Sequence, residues 1–318
     1  MPYGPDSLAL LIPLVTMTGI VYNGSDAMGW RQFYSASGPR ITLLQAFGIH
    51  ISSEALVKTI PLGAPMGDSV RTLLLRRACN MSVVEGATGA VVRRFHLGLA
   101  QGIFLTIGGV LGLEALTNRG DAAGATSASW LSLSTGLILI SVLVFMVFTA
   151  SSPKLRELAD GLAKRLPLPR LRSAMRTAWT RVRDTDQLPA MTRKGILQTL
   201  KAIPWFLGAW GGEVFETYVL VLLTGVEASF QQVIVLEAIV SSLRLAAFFL
   251  PSGIGVQDIG YASTLTLMGC VASPSDAGTL VVLKRAKDVF WIGLGYFVLA
   301  TRGIRPFRKS TAISADMA

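Results

Sequence analysis

The sequence predicts an all-α polytopic membrane protein made of two inverted-topology repeats, each with a re-entrant or broken-helix element. Three observations predict this fold: an apolar composition, apolar runs as long as a membrane-crossing helix, and a proline–glycine phrase that occurs twice. Hydrophobic residues make up 51% of the 318 residues and charged residues only 15%, and the mean hydropathy is +0.54. This composition lies far from the usual balance of a soluble domain.

The apolar runs mark the expected crossing helices. Four clear runs, each close to the roughly 20 residues that a crossing helix needs, cover residues 97–116, 130–150, 230–250 and 277–301. Two weaker runs cover residues 8–30 and 196–223, and both contain polar or charged residues. The pattern predicts several passes through a bilayer.

A helix-breaking phrase interrupts apolar sequence at two places. Pro61, Gly63 and Asp68 form the pattern P-x-G-x4-D, and the same pattern recurs 190 residues later, from Pro251 to Asp258. Proline and glycine leave backbone groups that no helix satisfies, and such backbone survives in a bilayer only inside protein or along a polar cavity. A matched pair of interrupted segments points to the binding site of a transporter.

The distribution of charge predicts the orientation. The net charge is +10, and residues 151–195 contain eleven Lys or Arg against four acidic residues. The tail after Thr301 is also basic, so the positive-inside rule places both segments in the cytoplasm. We therefore divide the chain into a first transmembrane repeat (1–116), a connecting helix with a basic cytoplasmic linker (117–195), and a second repeat with a basic cytoplasmic tail (196–318). A uniform offset of 190 residues also pairs Glu54 with Arg244 and Arg94 with Lys284.

These motifs resemble a known family. Residues 244–258, followed by Lys284 and Arg285, are similar to the C-terminal half of the lysylphosphatidylglycerol synthase transmembrane region, or flippase-like domain, and most similar to its hopanoid-biosynthesis-associated branch. Residues 61–77 resemble the signature of its first half, with Gly67, Asp68 and Arg71 at the matching positions. The resemblance implies a lipid-transport protein of the bacterial inner membrane with two re-entrant elements.

The chain also departs from that family. Asp68 and Asp258 stand where the family commonly has Glu, and we expect an N-terminus one helix shorter than the family's and no soluble aminoacyl-transfer domain after Ala318. The last departure argues against synthesis of a lysyl-lipid by this chain.

The half-helices that begin near Gly67 and Gln257 should direct free N–H groups and positive dipole ends into the membrane interior. This arrangement suits an anion such as a lipid phosphate, although Asp68 and Asp258 could instead cap the two helices. The predicted substrate-binding residues are Pro61, Gly63, Gly67, Asp68, Arg71, Arg244, Pro251, Gly253, Gly255, Asp258 and Arg285.

Further ionisable residues lie within apolar sequence. His50, Glu54 and Lys58 share one helical face and form either part of a pathway or a packing face in which Glu54 pairs with Lys58. The same i, i+4 spacing predicts a pair between Lys284 and Asp288. Two further residues are expected to pair with cations or to relay protons: Glu213 and Glu216.

The sequence argues against catalysis and against a cofactor. It contains no nucleophile elbow, no H-E-x-x-H and no Walker A loop, and its two histidines and two cysteines lack ligand spacing for a metal. We therefore expect a lipid transporter in the bacterial inner membrane, with membrane lipids and lipid-biosynthesis enzymes as partners and no nucleic acid. The alternatives are a membrane-embedded enzyme acting on a lipid headgroup and a non-transporting scaffold of a lipid-synthesis complex.

Overall fold

The structure is a computed structural model that describes residues 5–34, 41–61, 63–117, 123–151, 193–247, 250 and 253–301. Within these residues all regular structure is helical, which confirms the all-α prediction. The helices are α1 (Pro5–Tyr34), α2 (Leu43–Thr59), α3 (Gly63–Cys79), α4 (Val83–Thr117), α5 (Ala123–Ser151), α6 (Arg193–Thr224), α7 (Phe230–Ala246), α8 (Val256–Leu267) and α9 (Gly278–Thr301). Pro251, most of the basic linker and the basic tail lie outside the described residues.

Three helices in the described part of the chain are long and apolar enough to cross a membrane: Glu85–Glu114 in α4, Thr126–Phe145 in α5 and Thr199–Thr224 in α6. The run 196–223, predicted as a weaker span, is therefore one of the three, and it is the least apolar of them. The run 230–250 is shorter than predicted, because α7 ends at Ala246 after 17 residues. The run 277–301 forms α9, whose first half carries four charged residues.

Each breaker phrase lies between a 17-residue helix and a helix that packs back on it, and the last residues of the phrase form the start of that second helix. α2 and α7 begin with the same capping box, in which Thr42 with Gln45 and Ser229 with Gln232 exchange hydrogen bonds. Such boxes satisfy N–H groups that a helix start leaves open. After α2 the chain turns at Ile60 and α3 packs against α2; after α7 it turns through Gly253 and α8 packs against α7.

Helices α1–α4, called here the first half of the chain, pack against helices α6–α9, the second half. α1 packs on α6, α2 on α9, and α4 on α7. Glycine allows the closest approaches: a Cβ at Gly295 would meet the Ile51 carbonyl and Ala55, and a Cβ at Gly108 would meet Ala238 and the Ile234 carbonyl. The halves are therefore joined by two similar contacts, each between the last helix of one half and the second helix of the other.

Candidate functional site

A cavity of about 510 Å³ lies between the two halves. Its walls come from α1, α2, α3, α4, α6, α7, α8 and α9, including the segments around both breaker phrases. Most of the predicted site residues line it: Glu54, Lys58, Gly63, Glu213, Glu216, Arg244, Gly253, Asp258 and Arg285. The structure therefore brings residues from positions 54 to 285 to one place.

Other predicted residues lie near the cavity but not on its wall. Pro61 is exposed, and Gly67 is buried against α2, where a Cβ would meet Val57 and the Ser53 carbonyl. Arg71 is buried and donates to the Ser53 hydroxyl at 2.9 Å. Gly255, with a φ of 82°, precedes α8 as its N-cap.

Asp68 and Asp258 differ in their capping role. Asp258 accepts a hydrogen bond from the Gly255 backbone N–H at 3.0 Å, so it does cap α8. Asp68 lies five residues inside α3, and its partner is Arg94 of α4. The capping interpretation is therefore confirmed for Asp258 and wrong for Asp68.

The cavity wall is a set of ion pairs. The predicted pair of Lys284 with Asp288 and the alternative pair of Glu54 with Lys58 are both wrong. Lys58 pairs with Asp288, and Lys284 pairs with Glu237. In both cases the partner comes from another helix, because the side chains point into the interhelical space and not along their own helix. Further pairs on the wall are Arg244 with Glu213 at 3.2 Å and Lys287 with Glu216 at 2.7 Å.

In the first half, two consecutive arginines of α4 hold the three preceding helices together. Arg93 makes a two-pronged contact with Asp26 of α1, at 3.0 and 2.8 Å, and also donates to Glu54 of α2 at 3.2 Å. Arg94 donates to Asp68 of α3 at 2.8 Å. The forked guanidinium suits such contacts with carboxylates.

The second half repeats this arrangement with Lys284 and Arg285 of α9. Lys284 donates to Thr217 of α6 at 2.6 Å and to Glu237 of α7 at 2.5 Å. Arg285 donates to Asp258 of α8 at 2.7 Å. In each half, the first basic residue therefore contacts the first and second helices and the next basic residue contacts the third.

A uniform 190-residue offset does not align these contacts. It matches Asp68 with Asp258. Arg93 and Arg94, however, align with Lys284 and Arg285 at an offset of 191 residues, and Glu54 aligns with Glu237 at an offset of 183 residues. The latter two glutamates occupy the same place in the pattern I-x-x-E-A, at residues 51–55 and 234–238. The offset pairing of Glu54 with Arg244 is therefore wrong, because the turn between the second and third helices is longer in the second half.

The two basic residues of each half differ in exposure. The side chains of Lys284 and Glu237 are 7% and 0% exposed, and those of Arg285 and Asp258 are 25% and 30% exposed. Arg93 is buried as well, while Arg94 is partly exposed. The ion pair made by the first basic residue of each half is therefore buried, and the pair made by the second is accessible to solvent.

Several features of the site were not predicted. Glu237 was missed because the surrounding residues form a uniform apolar run, and its only sequence signal was the I-x-x-E-A pattern. No group of three or more His, Cys, Asp or Glu in the described residues could hold a metal ion. Wall residues that the sequence did not assign to the site include Tyr22, Asn23, Arg94, Gln101, Gln257, Tyr261, Lys284, Lys287, Asp288 and Trp291.

The fold and the cavity are those of a multi-pass membrane protein with a charged interior. The family model of the lysylphosphatidylglycerol synthase TM region matches residues 6–295. The chain therefore belongs to that family, as the motifs indicated. Comparisons with curated proteins and with solved structures gave no match.

Proposed function

We propose that this protein moves an amphiphilic lipid with an anionic headgroup between the two leaflets, through the cavity that its halves share. The observation that carries the proposal is the repeated set of contacts around one cavity, made by Arg93 and Arg94 in one half and by Lys284 and Arg285 in the other. Transporter sites commonly lie at the interface of two repeats, at interrupted helices.

The packing supports an inverted repeat. Suppose that α1 to α4 correspond to α6 to α9, in order. The contact of α2 with α9 then has its counterpart in the contact of α7 with α4, and the contact of α1 with α6 is its own counterpart. α5 lies between the two sets in the sequence and packs on α4. An odd helix between two sets of four inverts the second set relative to the first.

Helix length supports re-entrant elements. α2 and α7 each have 17 residues, which is about 26 Å at 1.5 Å per residue, short of the roughly 30 Å hydrocarbon core. Each is followed by a break and a helix that packs back on it. Both breaks therefore lie within the membrane in our proposal, next to the cavity.

The accessible charges support a polar headgroup as cargo. Ionisable residues in a membrane interior are costly and usually mark a pathway, and the side chains of Arg244 and Arg285 are partly exposed where they line the cavity. A guanidinium can donate two parallel hydrogen bonds to phosphate oxygens. An anionic phospholipid, a hopanoid with an acidic headgroup or a polyprenyl phosphate each offers such an anion.

The finer assignments rest on the sequence and remain predictions. These are the bacterial inner membrane, the cytoplasmic placement of the basic linker and tail, the hopanoid-associated branch, and lipid-biosynthesis enzymes as partners. The positive-inside rule supports the placement.

The proposal is tested with proteoliposomes that contain trace phosphatidylglycerol labelled on an acyl chain. Dithionite added outside bleaches only the outer leaflet, so continued bleaching measures leaflet exchange. We expect the wild type to expose the inner-leaflet label, with no change in lipid mass. A new lipid mass would favour a headgroup enzyme, and a protected inner leaflet would favour a scaffold; either result would overturn the proposal.

A further inference from the structure

The charges around the cavity balance. Eight cations and eight anions of the described residues can be matched one to one, at 2.5–3.6 Å, on the cavity wall or directly behind it, although some of them share a partner. The pairs are Lys58–Asp288, Arg71–Glu54, Arg93–Asp26, Arg94–Asp68, Arg244–Glu213, Lys284–Glu237, Arg285–Asp258 and Lys287–Glu216. The site thus has no net charge of its own when His50 is neutral.

This balance has a consequence for an anionic cargo. A headgroup phosphate that enters would leave one uncompensated negative charge in a poorly solvated interior, which is expensive. The paired arginines cannot remove this cost, since their charge is already matched. A positive charge must therefore enter with the lipid.

His50 can supply that charge. It is fully buried, and neither ring nitrogen has a hydrogen-bond partner among the described residues. Its Nδ1 lies 3.4 Å from Asp26 Oδ1, so a proton on Nδ1 would face a carboxylate. Histidine is the side chain that ordinarily gains a proton between pH 5 and 8.

The groups that face His50 come from every neighbouring helix of the first half. They are Asp26 of α1, Glu54 of its own helix, Arg71 of α3 and Arg93 of α4. These two carboxylates and two guanidinium groups cancel. α9, which packs on α2, places Asp288 against Lys58, two turns further along the helix. Protonation of His50 therefore adds one full positive charge to a neutral surrounding.

We infer that His50 is the proton site of the transporter, and that one proton travels with each anionic lipid. This inference rests on the proposed function. The proton adds to a ring nitrogen of His50 when the headgroup occupies the cavity and leaves when the headgroup is released; no covalent bond of the lipid changes. Glu54, which lines the cavity one turn from His50, connects the buried ring with the site. Movement of lipid and proton together carries no net charge.

The test is leaflet distribution of acyl-labelled phosphatidylglycerol under a pH gradient, with the membrane potential clamped by valinomycin and potassium. Acid outside should move the label to the inner leaflet, approaching about tenfold enrichment per pH unit for one proton per lipid. Acyl-labelled phosphatidylcholine should not respond. The His50→Gln variant should lose the response of phosphatidylglycerol to the gradient.

His96 gives a matched control. It is also buried, but its ring nitrogens contact the Val92 carbonyl and the Thr199 hydroxyl. His96→Gln should keep the response, and a loss equal to that of His50→Gln would overturn the assignment. If wild-type exchange occurs but does not respond to the pH gradient, the inference is overturned and the proposed function is retained. If no exchange occurs, both are overturned.

A second measurement needs no variant. Short-chain phosphatidylglycerol added to the wild-type protein in weakly buffered detergent should cause uptake of about one proton per bound lipid, since binding and protonation are reciprocally linked. Short-chain phosphatidylcholine should cause none. Lipid binding without proton uptake would contradict the inference even if His50→Gln does not fold.

Discussion

Replacing Lys284 by Met should destabilise the protein far more than replacing its neighbour Arg285 by Gln. Lys284 and Glu237 are almost completely buried, so removal of the ammonium leaves a carboxylate without compensation. It also removes hydrogen bonds to Thr217 and to Tyr261. Breaking such a buried pair lowers the free energy of unfolding by about 3–5 kcal/mol.

The Arg285 pair should cost much less. Its two side chains are 25% and 30% exposed, and pairs with this access to solvent contribute about 0–1 kcal/mol. The expected difference between the variants is therefore about 3 kcal/mol. Exchange per folded molecule should fall in Arg285→Gln, since the headgroup loses a charge-assisted donor.

The assay is unfolding of the purified variants in one detergent, followed by exchange in proteoliposomes containing equal amounts of folded protein. Lys284→Met combined with Glu237→Gln should recover part of the lost stability, because the pair is then removed without leaving a charge. The first half offers the same comparison with Arg93→Met and Arg94→Gln. The distinction between a buried ion pair and an accessible one would be refuted if Lys284→Met and Arg285→Gln were equally stable, or if Arg285→Gln kept full exchange.

Two further predictions concern the second break and the orientation. Gly253 has a φ of 58°, and a Cβ there would lie 3.0 Å from the Gln257 side chain. Gly253→Leu should therefore reduce exchange per folded molecule and cost about 1–2 kcal/mol of stability. The control is Gly293→Ala, where the space is open, and it should leave exchange unchanged. Full exchange in Gly253→Leu would show that the break is only a folding device. Cysteines replacing Arg176 and Arg308 should resist an impermeant thiol reagent in intact cells while one replacing Ala123 reacts, and labelling at position 176 from outside would contradict the inverted topology.

The sequence predicted the parts of the site that break a pattern. The breaker phrases and the nearby arginines stand out against apolar sequence, and the structure places Gly63, Gly253 and Arg285 on the cavity wall. Glu237 could not be found this way, because one acid in an apolar run gives no periodicity.

The pairing partners were the least predictable feature. Lys58 and Lys284 each have an acidic residue at i, i+4 spacing, yet both pair with carboxylates on other helices. Local spacing identifies residues that can meet on one helix, whereas burial against neighbouring helices decides which pairs form. The same packing explains why α9 tolerates four charged residues, since each has a partner within the protein.

The most direct test of the central claim is to locate a lipid headgroup by photo-crosslinking. Phosphatidylglycerol with a photoreactive group on its headgroup, illuminated during exchange in proteoliposomes, should label wall residues of both halves, such as Tyr22 and Lys58 in one and Gln257 and Tyr261 in the other. Excess unlabelled phosphatidylglycerol should suppress these adducts. Adducts confined to the exposed apolar faces of α4 and α5 would contradict a headgroup path through the cavity.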